Sequence, residues 1–174
     1  VWNFEQERDL FLDAVAGFRF DHIDVSNDLA AVSGEERFFT PYAGVRLERQ
    51  RESERTFASA IFEVAAPGVT NVDEDRLFEL GRIDADSEWV KLLYDVTHAF
   101  YLEPIFDPDL EDTEGGLAHE IVLSARGQFA FGNRLIPQEQ AVAGGLYSVR
   151  GYPQSITAGD DVILASAEYR YHVP

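Results

Sequence analysis

What most limits this chain is a period of two in hydrophobicity, held over stretches of about nine to twelve residues and repeated six times. In FLDAVAGFRFDH, Leu12, Ala14, Ala16, Phe18 and Phe20 share one face, and Asp13, Gly17, Arg19 and Asp21 share the other. PYAGVRLER sets Ala43, Val45 and Leu47 against Gly44, Arg46 and Glu48; TFASAIFEVA sets Ala58, Ala60, Phe62 and Val64 against Ser59 and Glu63. WVKLLYDVTHAF opposes Val90, Leu92, Tyr94 and Val96 to Lys91, Asp95 and Thr97. HEIVLSARGQFAFG opposes Ile121, Leu123, Ala125, Phe129 and Phe131 to Glu120, Ser124, Arg126 and Gln128. DVILASAEYRYH opposes Ile163, Ala165, Ala167, Tyr169 and Tyr171 to Ser166, Glu168, Arg170 and His172. Side chains alternate sides only along a strand, so the pattern predicts an all-β chain of about six long strands.

Strands of soluble proteins most often run about five or six residues, whereas a tilted strand crossing a bilayer needs about nine to eleven. Length therefore favours a membrane. So does chemistry: one face is an apolar stripe often ending in an aromatic, such as Phe20, Phe100 or Tyr171, and the other carries charges of both signs. Lipid outside and a wet lumen inside suit that division. A soluble antiparallel sheet with one solvated face gives the same alternation, and pattern alone leaves both open.

The connections alternate too. RQRESER (49–55) is a short polar turn, while 66–88 is long and acidic, as short turns at one membrane surface and long loops at the other would require. LEPIFDPDLEDTEGGLA (102–118) breaks the rule, so it is either an insertion or a sign of wrong strand parity. Gly34, Gly68 and the Gly115/Gly116 pair read as positive-φ turn positions in these connections.

A length of 174 residues suffices for one domain. The opening VWNFEQERDLF has neither the basic start nor the apolar core of a signal peptide, and the chain stops at the end of a strand pattern. Both ends lead to the expectation of a piece of a larger chain. A formal charge of −18 would repel phosphate backbones, which sets nucleic acid aside as a partner. The absence of cysteine excludes a disulfide framework and a thiol nucleophile.

Enzymatic signals are missing. DPDLEDTEGG and DEDRLFE are carboxylate clusters, but the first lacks the sixth-position glycine of an EF-hand loop, and a solvated acidic loop explains it. His22, His98, His119 and His172 have no metal-ligand spacing. Ser148 in GLYSVRG is not a hydrolase elbow, and no phosphate-binding glycine loop with its lysine occurs. The reading is of no catalytic residue, no metal and no cofactor.

One stretch asks for more than a hairpin: LIPQEQAVAGGLYSVRGYPQSITAGDD (135–161). Gly144 and Gly145 permit backbone turns closed to other residues, and Gly151 permits a tight turn or a close backbone approach. Arg150 presents a rigid fork suited to a carboxylate, and Tyr152 an aromatic surface stiffened by Pro153. GGLYSVRGY followed by AGDDVILASAEYR closely resembles the signature of the outer-membrane barrel superfamily of two-partner secretion transporters, the haemolysin activators, and BamA-type assembly factors. EIVLSARGQFAFGNRLIPQEQ is similar to the strand before that loop in the haemolysin-activator branch; residues 1–118 match only in style.

The resemblance implies a bacterial-type outer-membrane location, with the bilayer and a secreted or outer-membrane substrate protein as partners. It makes Val149, Arg150, Gly151 and Tyr152 the tip of a loop folded back into the lumen. Gly144 and Gly145 open that loop, Gly159 and Asp160 return it to the wall, and Glu168 on the inward face is a candidate partner for Arg150. It also implies about sixteen strands preceded by periplasmic POTRA domains, so residues 1–174 are expected to be a partial barrel domain with POTRA and closing strands elsewhere. The leading functional expectation is translocation of an unfolded partner protein. The alternatives are a BamA-type insertase and, from another class, a soluble acidic β-domain that binds a ligand or partner.

Overall fold

The computed structural model describes residues 2–27, 32–65, 74–107, 116–146 and 148–173. Six long strands form: β2 (Leu10–Asn27), β3 (Val32–Gln50), β4 (Glu54–Ala65), β5 (Trp89–Tyr101), β6 (His119–Phe129) and β9 (Val162–Tyr171). Three short strands join them: β1 (Trp2–Glu7), β7 (Ala141–Ala143) and β8 (Thr157–Gly159). One antiparallel sheet runs β1-β2-β3-β4-β5-β6-β9, and β7 pairs with β8 inside the connection between β6 and β9. That connection lies against one face of the sheet, here called the inner face.

Alternation places the stripes as their chemistry requires. Phe18 on the outer face is 68 % exposed and Ile163 is 71 %, so the described residues leave this apolar surface uncovered. Aromatics gather at its two margins. At one, Phe18 lies 5.3 Å from Phe39, and Phe131 lies 6.1 Å from Phe62 and 4.9 Å from Phe129. At the other, His98 and Phe100 lie 5.3 Å apart, and His119 lies 5.8 Å from Tyr169 and 5.0 Å from Tyr171. Ala43, Val45, Ala58, Ala60, Val96, Ala125 and Ala165 occupy the space between. From Phe129 to His119 the strand covers about 34 Å, or about 26 Å of height at a 40° tilt, which matches the apolar band of a membrane barrel.

On the inner face, registered neighbours carry opposite charges: Asp13 faces Arg46, Glu63 faces Lys91 and Asp95 faces Arg126. Such cross-strand pairs each add a little to sheet stability and fix the register. Glycine admits aromatics to the wall: Tyr42 covers Gly17 on the inner face, and Tyr94 covers Gly127 on the outer.

Several details differ from the sequence expectation. β2 and β3 run to Asn27 and back from Val32, well past the aromatic margin. Beyond Asp21 the period persists but changes sides: His22, Asp24, Ser26, Glu35 and Arg37 point outward and are exposed, while Ile23, Val25 and Phe38 point inward. Pro41, read as a strand start, lies inside β3 where β4 no longer pairs with it, so its missing N–H is tolerated. Gly34 is buried within β3 against Glu79, not at a positive-φ turn. Gly68 and Gly115 lie outside the described residues. The 102–118 segment is an insertion and strand parity stands: β4 and β5 pair antiparallel, so it leaves from the end that carries the tight turns at Arg8–Asp9 and Arg51–Ser53.

Candidate functional site

Residues 130–161 leave β6 at the long-loop end and travel back along the inner wall before rejoining β9. Two apolar clusters seat the start of this path. Leu135 and Ala130 pack with Trp89 and Ala65, and Ile136 packs with Phe38, Leu77 and Leu80, the last two from a 3-10 turn at Glu74–Leu80. Ile23 and Val25 flank the second cluster, which explains the change of sides in β2. The 3-10 turn of the 66–88 connection thus meets the loop on the inner face.

A 3-10 turn at Pro137–Glu139 then aims Glu139 at the wall. Its carboxylate is 4 % exposed and accepts hydrogen bonds from Arg19 Nη2 at 2.6 and 2.7 Å and from Lys91 Nζ at 2.6 Å. Glu63 lies 3.4 Å from both cations, and Asp21 Oδ2 accepts from Arg19 Nε at 2.5 Å. Lys91 also donates to the Glu139 carbonyl at 3.2 Å and stands 5.0 Å over the Trp89 ring. Two cations and three carboxylates from β2, β4, β5 and the loop therefore close on one another, with Glu139, Lys91 and Glu63 buried and Arg19 and Asp21 at the half-buried rim.

The return limb is held at Asp160. Arg82 clamps it through Nη1 at 2.5 Å and Nη2 at 2.8 Å, and the same Nη1 donates to the Leu135 carbonyl at 2.5 Å. Asp160 also accepts from Leu135 N–H and Gln140. Arg82's hydrogen bonds hold the Asp160 carboxyl below the usual range, and Asp160 in turn raises Arg82. Gln128 Nε2 bridges the two limbs, donating to the carbonyls of Glu139 and Asp160, each at 3.1 Å. Gly159 lies in β8 with ordinary backbone angles, so β7–β8 pairing, not glycine freedom, shapes the return.

The far end of the loop is a turn built by its own sequence. Tyr152 N–H donates to the Val149 carbonyl at 3.3 Å, and Gly151 sits at φ 90°. Val149-Arg150-Gly151-Tyr152 is thus a β-turn with glycine at the third position, the type II requirement. Among the described residues no atom beyond its chain neighbours comes within 4 Å of a Cβ built at Gly151, so the turn and not a close approach calls for glycine. Gly144, at φ 116°, differs: a Cβ there would fall 2.4 Å from the Pro153 carbonyl oxygen. Ser148 Oγ braces the neck, accepting from Gly144 N–H at 2.8 Å and donating to its carbonyl at 2.7 Å. Gly145 N–H donates to the Tyr152 carbonyl at 3.2 Å. Tyr147 lies outside the described residues.

Arg150 Nη2 lies 2.6 Å from Glu168 Oε1 on β9, and Arg170 holds the other carboxylate oxygen at 3.1 Å. The Arg150 side chain is 72 % exposed, and Tyr152 is exposed as well. A polar cavity of about 590 Å³ separates the tip from the wall, lined by Asp95, Thr97, Ser124, Arg126, Val149 and Glu168 among others.

Magnitude separates the two contacts. Exposed ion pairs contribute about 0–1 kcal/mol, whereas removing one partner of a buried pair costs about 3–5 kcal/mol. The base of the loop is fixed by Glu139 and Asp160; the tip rests lightly on Glu168. Sequence reading passed over Glu139, Arg19, Lys91 and Arg82. The inward parity of Arg19, Glu63 and Lys91 was a partial signal, but nothing local marks their convergence on Glu139.

No protein-family model and no curated protein matches the chain. Among solved structures it is similar to CdiB from Escherichia coli, with a TM-score of 0.72 at 15 % sequence identity over 99 % of this chain. The chain spans 30 % of that structure's length. The fold is that of a fragment of an antiparallel transmembrane-type β-barrel.

Proposed function

We propose that residues 1–174 are part of an outer-membrane β-barrel that passes an unfolded partner protein through its lumen, as in two-partner secretion. The observation that carries this reading is the V-R-G-Y turn at the end of a loop folded back along the inner wall between two barrel strands. The CdiB-like fold supports it, as does the haemolysin-activator character of RLIPQEQAVAGGLYSVRGY. The exposed apolar face supports a lipid surrounding, because a contiguous patch of this kind is unfavourable in water. POTRA domains and closing strands belong to the parent protein on this reading.

Two-tier anchoring suggests how the lumen could admit cargo. A passing chain displaces the lightly held tip at Arg150, while the buried base at Glu139 keeps the loop from leaving the barrel. No covalent chemistry is required, and Arg150 acts as a latch. The test is deletion of the parent gene with inspection of culture supernatant and outer-membrane protein profile. Loss of one or a few secreted proteins, with the membrane profile intact, supports the transporter. General loss of outer-membrane barrels would instead assign an insertase, and a parent product found only in the soluble fraction would leave a soluble β-domain.

A further inference from the structure

The insertion between β5 and β6 contains a four-residue α-helix, α1 (Glu103–Phe106), that packing does not explain, since it buries none of its own residues. Polar contacts hold it instead. Leu102 N–H donates to the His119 carbonyl at 2.8 Å, and Glu103 Oε1 accepts the N–H groups of Ala118 and His119 at 2.9 and 2.8 Å. The helix is therefore tied to the start of β6.

Its position is at the short-turn rim of the sheet, against the margin of the outer face. Pro104 and Ile105 line a cleft at the strand ends with Arg51 and Ser53 of the turn, inward Tyr101, and Glu54, His98 and Phe100, the last three sharing the outer parity of β4 and β5. Ile105 is 62 % and Phe106 82 % exposed, beside the aromatic margin made by His98, Phe100, His119, Tyr169 and Tyr171. The next residues change character: Asp107, Asp109, Glu111, Asp112 and Glu114 carry acid and nothing basic lies among them.

We propose that α1 is a membrane-interface foot, its Ile105 and Phe106 side chains inserted into the headgroup–acyl boundary of the leaflet at the short-turn end. The occupant is lipid because the patch continues the apolar face and its aromatic margin outward from the strand. Interfacial apolar faces lie about 5–10 Å into that boundary, and Ile105 and Phe106 are the exposed apolar groups at this rim. The acidic run would meet repulsion from anionic headgroups, so zwitterionic lipid is the expected surface. The inference rests on the membrane-barrel reading above.

The chain has no cysteine, so single labels are clean. The full-length protein, with any cysteine elsewhere replaced, is reconstituted in phosphatidylcholine vesicles with an environment-sensitive fluorophore at Phe106→Cys, Val96→Cys or Phe78→Cys. Val96 reports the middle of the apolar face and Phe78 the opposite end. Lipids brominated near the headgroup and near the chain ends then quench by contact. The expected result is loss of emission at 106 with shallow bromine, at 96 with deep bromine, and little loss at 78. Quenching at 96 without quenching at 106 overturns the foot and leaves the barrel standing, with the patch then facing water or protein. No quenching at 96 removes the barrel reading and the foot with it.

Discussion

Glu139 and Arg19 meet 120 residues apart in sequence, with Arg19 Nη2 2.6 Å from Glu139 Oε1 on the inner wall. Lys91 completes the contact from a second strand, so one loop carboxylate ties β2 and β5 to the segment that lies along the inner wall. Glu139→Gln keeps the shape and removes the charge, leaving two cations to share Glu63 and Asp21. The expected cost to loop docking is about 3–5 kcal/mol. Limited proteolysis of the full-length protein in detergent should cut the variant between residues 130 and 161 while the wall strands survive. Resistance equal to wild type would show that the apolar clusters alone hold the base.

Arg150 should behave differently. Its contact with Glu168 is exposed, so Arg150→Ala should change barrel stability by about 0–1 kcal/mol and leave the unboiled gel mobility of the full-length protein as in wild type. Secretion of the partner protein should nevertheless fall, and Arg150→Lys should recover part of it, since a point charge replaces a fork. Full secretion by Arg150→Ala would end the latch assignment.

The wall was legible in the sequence because the two faces of the sheet carry opposite chemistry on alternate residues, and that rule needs no tertiary knowledge. Leu12 to Phe20 and Val90 to Val96 show it plainly. The rule also explains the underestimate of β2 and β3: Ile23, Val25 and Phe38 turn inward beyond the aromatic margin, where Leu77 and Ile136 receive the apolar groups. β1 was passed over because WNFEQE is short and lacks the stripe. The V-R-G-Y turn was visible as local chemistry. The anchors were not, because Glu139, Arg19, Lys91 and Arg82 come from four separate segments, and only the folded barrel brings them together.

Acid should release the return limb. Asp160 titrates below its ordinary value because Arg82 hydrogen-bonds the charged form, so the released loop binds more protons than the docked one. Docking stability from this contact is then complete above the ordinary carboxyl value of about 3.9 and falls as pH drops through the lower, docked value. Hydrogen exchange of the loop in full-length protein, followed downward from neutral pH, should show release beginning near that upper bound. Arg82→Gln should loosen the limb already at neutral pH and flatten the acid response. An unchanged profile would place the control of the return limb in β7–β8 pairing.

The contact between the 66–88 connection and the inner-face loop should also be separable from the wall. Leu77 is buried against Phe38, Leu80 and Ile136, so Leu77→Ala should cost about 2–5 kcal/mol there, depending on how far the cluster collapses. Because this cluster joins the 66–88 connection and the loop to the ends of β2 and β3 beyond the aromatic margin, and not to the strands between the two margins, the loss should appear as more frequent channel opening in planar bilayers. Heat-modifiable mobility on gels should stay as in wild type; its loss would mean that the cluster supports the wall as well.

The seam between β6 and β9 depends on a glycine without special backbone angles. A Cβ at Gly127 would fall 1.9 Å from the Val162 carbonyl oxygen and 2.6 Å from the Tyr94 hydroxyl, which itself donates to that carbonyl at 3.0 Å. Neither obstacle is a flexible end, because one is backbone and the other is fixed by its hydrogen bond. Gly127→Ala should therefore displace β9 and lower the unfolding temperature of the full-length barrel more than Tyr94→Phe. The latter loses only the hydrogen bond, about 0.5–1.5 kcal/mol. In the double variant Gly127→Ala/Tyr94→Phe the added cost of removing the hydroxyl should shrink, since the displaced strand no longer offers its carbonyl. Additive effects would show that Tyr94 and Gly127 act on the seam independently.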